Sequence, residues 1–145
     1  MVFAMDDTLA KTLEIRMPAD TRYVGLVRRG IRSLAESVGF TGEDVSDVEV
    51  AVSEAVTNSV IYGSPDPEAC EVVVKCRASG ECLEVEVEDE STAESLPVRP
   101  ASCDPAAERG RGFIVMCALM DECHDSRTER GIRIRMAKQK ARRES

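Results

Sequence analysis

VAVSEAVTNSVIYG, residues 50–63, is the stretch that decides the fold of this 145-residue chain. It ends a longer run that begins at Val45, is capped upstream by Thr41 and Asp44 in the manner of a capping box, and stops at Gly63, so it predicts a helix. Glu54 and Asn58 are four residues apart and share one face of that helix. They lie within an otherwise apolar stretch made of Val48, Val50, Val52, Val56, Val60 and Ile61.

The polar pair on this helix is the first candidate site. A buried carboxylate is costly unless it is paired or used. Glu54 could take a proton from a nucleophile, and the amide oxygen of Asn58 could hold Mg²⁺. The alternative is that both side chains merely reach solvent beside the core, and the spacing alone favours this alternative.

Upstream, the sequence predicts a strand and a first helix. Apolar residues alternate with polar ones over residues 13–17, which indicates a short strand that ends at Pro18. Asp20 is placed to cap a helix that begins near Thr21, and Gly39 is placed to end it.

Downstream, EVVVKC and CLEVEVED read as a β-hairpin around a Ser79-Gly80 turn. Leu83, Val85 and Val87 form the inward row of the second strand, and Asp89 is the next residue in that row. Alternation would aim its carboxylate at the core or at a pocket edge, where it could accept a hydrogen bond from an exocyclic amine such as that of adenine. The alternative is an ordinary turn residue at a strand end.

A glycine pair marks the third candidate site. Residues 90–109 have no clear period, and Gly110-Arg111-Gly112 then enters a helix. Glycines before a helix let backbone N–H groups approach phosphate, and Arg109 and Arg111 add positive charge; a flexible loop is the alternative. A strand, a turn and a strand close the chain. The order of elements predicts an α/β (α+β) two-layer sandwich with a mainly antiparallel sheet and helices on one face.

Composition limits the function further. The net charge of −8 disfavours nucleic-acid binding, because phosphate neutralisation needs a basic face. The N-terminus has no long apolar run, so we expect a cytoplasmic protein without a membrane anchor. Six cysteines without a C-x-x-C pair make a zinc site improbable, although Cys103 stands in a loop and could be reactive. We expect one domain over residues 1–145, with flexible ends at residues 1–11 and 139–145.

The order of the three sites resembles the GHKL ATPases, which share the Bergerat fold. VAVSEAVTNSVIYG resembles the N box of the anti-sigma-factor serine kinases, the RsbW and SpoIIAB type. MPADTRYVGLVRRGIRSLAESVGF, residues 17–40, resembles their first strand and helix, and ERGRGFIVMCALMDE, residues 108–122, resembles their second glycine box. The resemblance covers residues 12–138.

This resemblance implies a histidine kinase-like ATPase domain that binds ATP with Mg²⁺, sequesters a sigma factor and phosphorylates an anti-anti-sigma (STAS-type) protein on serine. Glu54 would be the catalytic base, Asn58 the Mg²⁺ ligand and Asp89 the partner of the adenine amine. Gly110 and Gly112 would shape the phosphate loop, with Arg109 and Arg111 beside them, and residues 91–109 would form the ATP lid.

The resemblance also implies partners. Family members pair as homodimers, and their protein partners dock near the first helix and the lid. Arg22, Arg28 and Arg29 are candidates for that surface, and a plain solvated face is the alternative for these arginines.

Three positions depart from the family pattern. The first glycine box would place glycines at Ser91 and Ala93, and Tyr62 stands where a histidine is common. Glycine in the first glycine box lets the backbone turn under the nucleotide, whereas the Ser and Ala found at positions 91 and 93 resist positive φ. A binding module that sequesters its partner with weak or no catalysis is therefore one alternative function, and a switch-type regulatory kinase is another.

Overall fold

A computed structural model describes residues 10–91 and 108–141, except for the side chains of residues 108–111. The elements follow in the order β1 (Lys11–Pro18), a 3-10 turn (Thr21–Tyr23), α1 (Val24–Ser37), α2 (Gly42–Tyr62), β2 (Glu71–Ala78), β3 (Cys82–Glu88), α3 (Glu108–Leu119), β4 (Glu122–Arg127) and β5 (Ile132–Gln139). The order predicted from the sequence is confirmed: strand, two helices, hairpin, helix, hairpin.

The five strands form one sheet in the order β1-β2-β3-β5-β4, and every neighbouring pair is antiparallel. Val85 lies opposite Cys76 of β2 and Met136 of β5, and all three side chains are buried on the same face. On the other face Glu86 pairs with Arg135 at 3.2 Å. One face of the sheet is therefore the core face and the other is charged.

The core lies between the helices and the apolar face of the sheet. Val27, Ile31 and Ala35 of α1 are fully buried, and Phe40 between α1 and α2 is among the largest side chains without solvent contact. Each valine buried in this layer contributes roughly 1.5–3 kcal/mol. The predicted two-layer α/β sandwich is confirmed. No described helix combines the length and the apolar character that crossing a membrane requires.

The helix ends follow the predicted signals with one exception. Asp20 accepts a hydrogen bond from the backbone N–H of Arg22 at 2.9 Å, and the Arg22 side chain lowers the pKa of the Asp20 carboxyl. Gly39 has φ +97° just beyond α1. The predicted capping box at Thr41 is wrong, because the Thr41 side chain makes no cap hydrogen bond and Asp44 Oδ2 accepts instead from the N–H of Ala141 at 3.1 Å.

Three boundaries differ from the sequence-based prediction. The helix α3 begins at Glu108, so Gly110 and Gly112 lie inside its first turns and not in a loop before it. Lys11 belongs to β1 and Gln139 to β5, so these two residues of the ends predicted to be flexible lie in strands. Residues 1–9 and 142–145 of those ends are outside the described residues. Cys103, Ala93 and most of the predicted lid fall within residues 92–107, outside the described residues. The five described cysteines are free thiols.

Candidate functional site

The helix α2 carries the polar pair that the sequence singled out. Ala55, Val56 and Ser59 anchor this helix in the core, and Glu54 and Asn58 stand partly exposed one turn apart on its side. The prediction that they share a face is confirmed. Not every apolar residue around them points inward, because Val50 and Ile61 are 45% and 57% exposed. Glu54 and Asn58 thus lie at the border between the core and solvent.

The start of α3 packs directly against this pair. A Cβ atom added at Gly112 would stand 2.8 Å from Asn58 Nδ2 and 3.1 Å from Glu54 Oε2. Only a residue without a side chain lets the two helices approach this closely. The first four residues of a helix have unsatisfied N–H groups and carry a partial positive charge. Gly112 directly follows these four residues of α3, so the anion-attracting end of this helix lies next to its contact with Glu54 and Asn58.

The two helices enclose an open cleft of ≈ 340 Å³. Its walls are formed by Glu54, Thr57, Asn58, Ile61 and Tyr62 of α2 and by Gly112 and Val115 of α3. Among the side chains that the structure describes, those of residues 10–91 and 112–141, none forms an ion pair or a side-chain hydrogen bond with Glu54 or Asn58. A carboxylate and an amide oxygen therefore face the cleft together, which is the hard oxygen chemistry that Mg²⁺ prefers.

Asp89 is buried, as the alternation of β3 predicted, and the residue is 6% exposed. Its Oδ1 atom accepts hydrogen bonds from the N–H groups of Ser91 at 2.9 Å and of Ile132 at 3.2 Å. Its Oδ2 atom lies against Gly63, where an added Cβ atom would overlap it. Asp89 is not among the residues that line the cleft, so the structure places it behind the C-terminal end of α2.

Gly63 and Gly131 are the residues that sequence reasoning missed. Gly63 was predicted only as a helix stop, yet it also makes room for the Asp89 carboxylate. An added Cβ atom at Gly131 would overlap the backbone of Asp89 and Ser91. The sequence signal was a glycine directly before the last strand, where a turn explained it sufficiently.

Ser91 stands where the family pattern would place a glycine, and its backbone is not strained. Ser91 is buried, and no described non-glycine residue has a positive φ. The backbone at Ser91 therefore takes a conformation that serine adopts without strain.

The arginines predicted for the partner surface and those predicted for the phosphate loop lie in different parts of the structure. Arg22 pairs with Asp20 at 2.7 Å, Arg28 pairs with Glu49 of α2 at 3.6 Å, and Arg29 is exposed on α1. Arg109, Gly110 and Arg111 belong to the first turn of α3, and their side chains are outside the described residues.

Comparison with known proteins decides the family. The chain matches the histidine kinase-like ATPase domain over residues 17–138. It is 34% identical over 119 residues to the serine-protein kinase RsbW of Bacillus velezensis, which covers 76% of this chain and 74% of that protein. The chain belongs to the histidine kinase-like ATPase family, among the RsbW serine-protein kinases.

Further relatives agree with this assignment. RsbW of Bacillus subtilis is 32% identical over 122 residues, 78% of this chain and 76% of that protein. A Mycobacterium tuberculosis structure with RsbU and RsbW domains has a TM-score of 0.70 at 20% identity, over 92% of this chain and 33% of that one, and it shows the shared fold. The resemblance read from the sequence is confirmed, and the chain is an ATP-binding kinase domain.

Proposed function

We propose that this chain is an anti-sigma factor that sequesters a sigma factor and phosphorylates an anti-anti-sigma (STAS-type) protein on serine. The observation that carries the proposal is the contact of Gly112 with both Glu54 and Asn58 at one cleft. This contact brings an acid, an amide and a helix N-terminus together, and phosphoryl transfer uses all three.

Glu54 is the proposed catalytic base. It accepts the proton of the serine hydroxyl as the serine oxygen bonds to phosphorus and the bond to the departing ADP oxygen breaks. Bound ATP with Mg²⁺ supplies the phosphoryl group and neutralises phosphate charge. Asn58 would offer its amide oxygen to the metal, and the first turn of α3 would face the phosphates.

Asp89 is the proposed adenine partner. Because two backbone N–H groups hold its Oδ1 atom, the carboxylate is fixed in direction. A fixed, buried acceptor suits recognition of an amine on a planar base, since binding then costs little reordering.

The surface beside Glu54 supports a protein substrate. Val50 and Ile61 precede and follow Glu54 by four and seven residues, so they share its face of α2, and both are large exposed aliphatic side chains. We further propose that partners dock over this face, over α1 with Arg28 and Arg29, and over the turn before α1 with Arg22. We also propose that the chain works in the cytoplasm as a homodimer.

The experiment is phosphoryl transfer from labelled ATP to a purified STAS-type protein, with its acceptor serine intact or replaced by alanine. Glu54→Gln keeps the shape of the side chain but cannot accept the proton. We expect the rate to fall by about 10²–10⁴-fold while ATP binding persists. Glu43→Gln is the matched control, because Glu43 is an exposed glutamate at the start of the same helix.

Two outcomes would overturn parts of the proposal. Unchanged transfer by Glu54→Gln would remove Glu54 from the chemistry. Tight partner binding without transfer by the wild-type protein would favour the alternative of a binding module that only sequesters its partner.

A further inference from the structure

Lys138 of β5 links the two helices that form the cleft. Its ammonium donates a hydrogen bond to the backbone carbonyl of Leu119, the last residue of α3, at 2.7 Å. The same ammonium contacts Asp47 Oδ2 of α2 at 3.4 Å. The Lys138 side chain is 13% exposed, so this cation is largely withdrawn from water.

The Lys138 ammonium interacts favourably with both the C-terminal end of α3 and Asp47. The C-terminal end of a helix carries unsatisfied carbonyls and partial negative charge, which a lysine neutralises. Asp47 adds a full negative charge beside it. One cation therefore satisfies an anion on α2 and a helix end on α3 at once.

The link lies at the same distance from the site on both helices. Asp47 precedes Glu54 by seven residues, and Leu119 follows Gly112 by seven residues. Seven residues are two turns, about 10 Å along each helix axis. The helices thus run antiparallel, with Lys138 at one end of their contact and the Glu54–Gly112 approach at the other.

We propose that Lys138 is a positioning residue that sets the register of α3 against α2 and thereby the geometry of the phosphate end of the cleft. This inference rests on the proposed function. Its physical basis is the close approach at Gly112, where even an added Cβ atom would stand only 2.8 Å from Asn58 Nδ2 and 3.1 Å from Glu54 Oε2. A small slide of α3 changes that approach, because packed helices transmit shifts along their axes.

The fold does not depend on this link alone. The turn after α3 is held to β5 by Asp121, whose N–H donates to the carbonyl of Ala137 at 2.9 Å and whose Oδ2 accepts from the N–H of Gln139 at 2.6 Å. Removal of the Lys138 cation therefore leaves α3 attached to the sheet. What is lost is the contact that Lys138 makes between the end of α3 and Asp47 of α2, whereas the apolar packing of the two helices remains.

The test compares Lys138→Met with Arg32→Met. Arg32 also pairs with an acid of α2, Glu49 at 3.5 Å, but it reaches α2 from α1. We expect Lys138→Met to raise the ATP dissociation constant by about 3- to 30-fold. Arg32→Met should change it less than twofold. Without nucleotide, hydrogen exchange of the α3 amides at residues 113–116 should accelerate in Lys138→Met only.

A double variant separates positioning from stability. Asp47→Leu with Lys138→Met removes the acid that the single variant leaves unpaired, which should recover the melting temperature. It does not restore the tie, so ATP binding should stay weak. Recovery of ATP affinity together with the melting temperature would overturn the proposal, as would unchanged exchange of α3 in Lys138→Met. If the wild-type protein binds no ATP, the proposed function fails while the exchange measurement still tests the link.

Discussion

Replacement of Gly112 by alanine tests the close approach of α3 and α2. The added Cβ atom would lie 2.8 Å from Asn58 Nδ2, whereas ordinary contact begins at 3.4 Å, so Asn58 must move by about 0.6 Å. Glu54 Oε2, at 3.1 Å, must move by about half as much. A misplacement of 1 Å costs about 10²-fold in rate, so we expect phosphoryl transfer to fall roughly tenfold.

Two opposing effects keep the change in the free energy of unfolding of Gly112→Ala small. Alanine gains about 1 kcal/mol over glycine inside a helix. Overpacking costs about 1–3 kcal/mol. The variant should therefore lose about 0–2 kcal/mol in the free energy of unfolding, and it should fold normally at room temperature.

The assay is phosphoryl transfer with calorimetric ATP binding, beside urea unfolding. Gly25→Ala is the matched control, since Gly25 also lies in a helix and its added Cβ atom would meet only the end of the Arg29 side chain at 3.4 Å. Gly25→Ala should keep wild-type activity. If Gly112→Ala also keeps wild-type ATP affinity and transfer, the contact of Gly112 with Glu54 and Asn58 does not shape the site.

Three further predictions concern single side chains. Asn58→Ala should abolish the part of ATP binding that depends on Mg²⁺, and equal calorimetric titrations with and without Mg²⁺ in the wild type would count against this role. Asp89→Asn should weaken ATP binding about tenfold, because an amide replaces one acceptor oxygen; an unchanged dissociation constant would remove Asp89 from adenine recognition. Burial raises the pKa of the Cys76 thiol from 9.0 to about 12. The thiol therefore loses its proton at a lower pH in the unfolded chain than in the folded one. The free energy of unfolding should fall between pH 9 and 12, and this group contributes at most about 1.4 kcal/mol per pH unit to that fall. The fall should be less steep by this amount in Cys76→Ala.

Local patterns predicted most of the fold. Residues 42–62 form a helix because apolar side chains recur at its period, and Gly63 ends it as expected. The alternation in β3 predicted that Asp89 would be buried, since side chains of a strand alternate between faces. Both predictions needed only neighbours in sequence.

What the sequence could not supply were contacts between distant segments. Glycines before an apolar run predicted a loop at Gly110 and Gly112, but the structure has a helix there because packing on α2 outweighs the low helix propensity of glycine. Likewise, the sequence allowed a partner surface or a solvated face for Arg28, and nothing in it indicated that Arg28 reaches Glu49 on the next helix. The assembly of Glu54, Asn58 and Gly112 depends on such a contact across 54 positions or more of the chain, and no local period reports it.

Serine in place of glycine at position 91 does not by itself indicate an inactive site. Glycine is required where φ is positive or where backbones approach closely, and Ser91 shows no positive φ. The close approach is instead provided by the turn before β5, because Gly131 is the residue whose missing side chain leaves room for the backbone of Asp89 and Ser91. Since the Asp89 carboxylate is also held by the N–H of Ser91, the serine belongs to the support of the proposed adenine partner. Gly131→Ala should therefore disturb the backbone around Asp89 and Ser91 more than Ser91→Gly does.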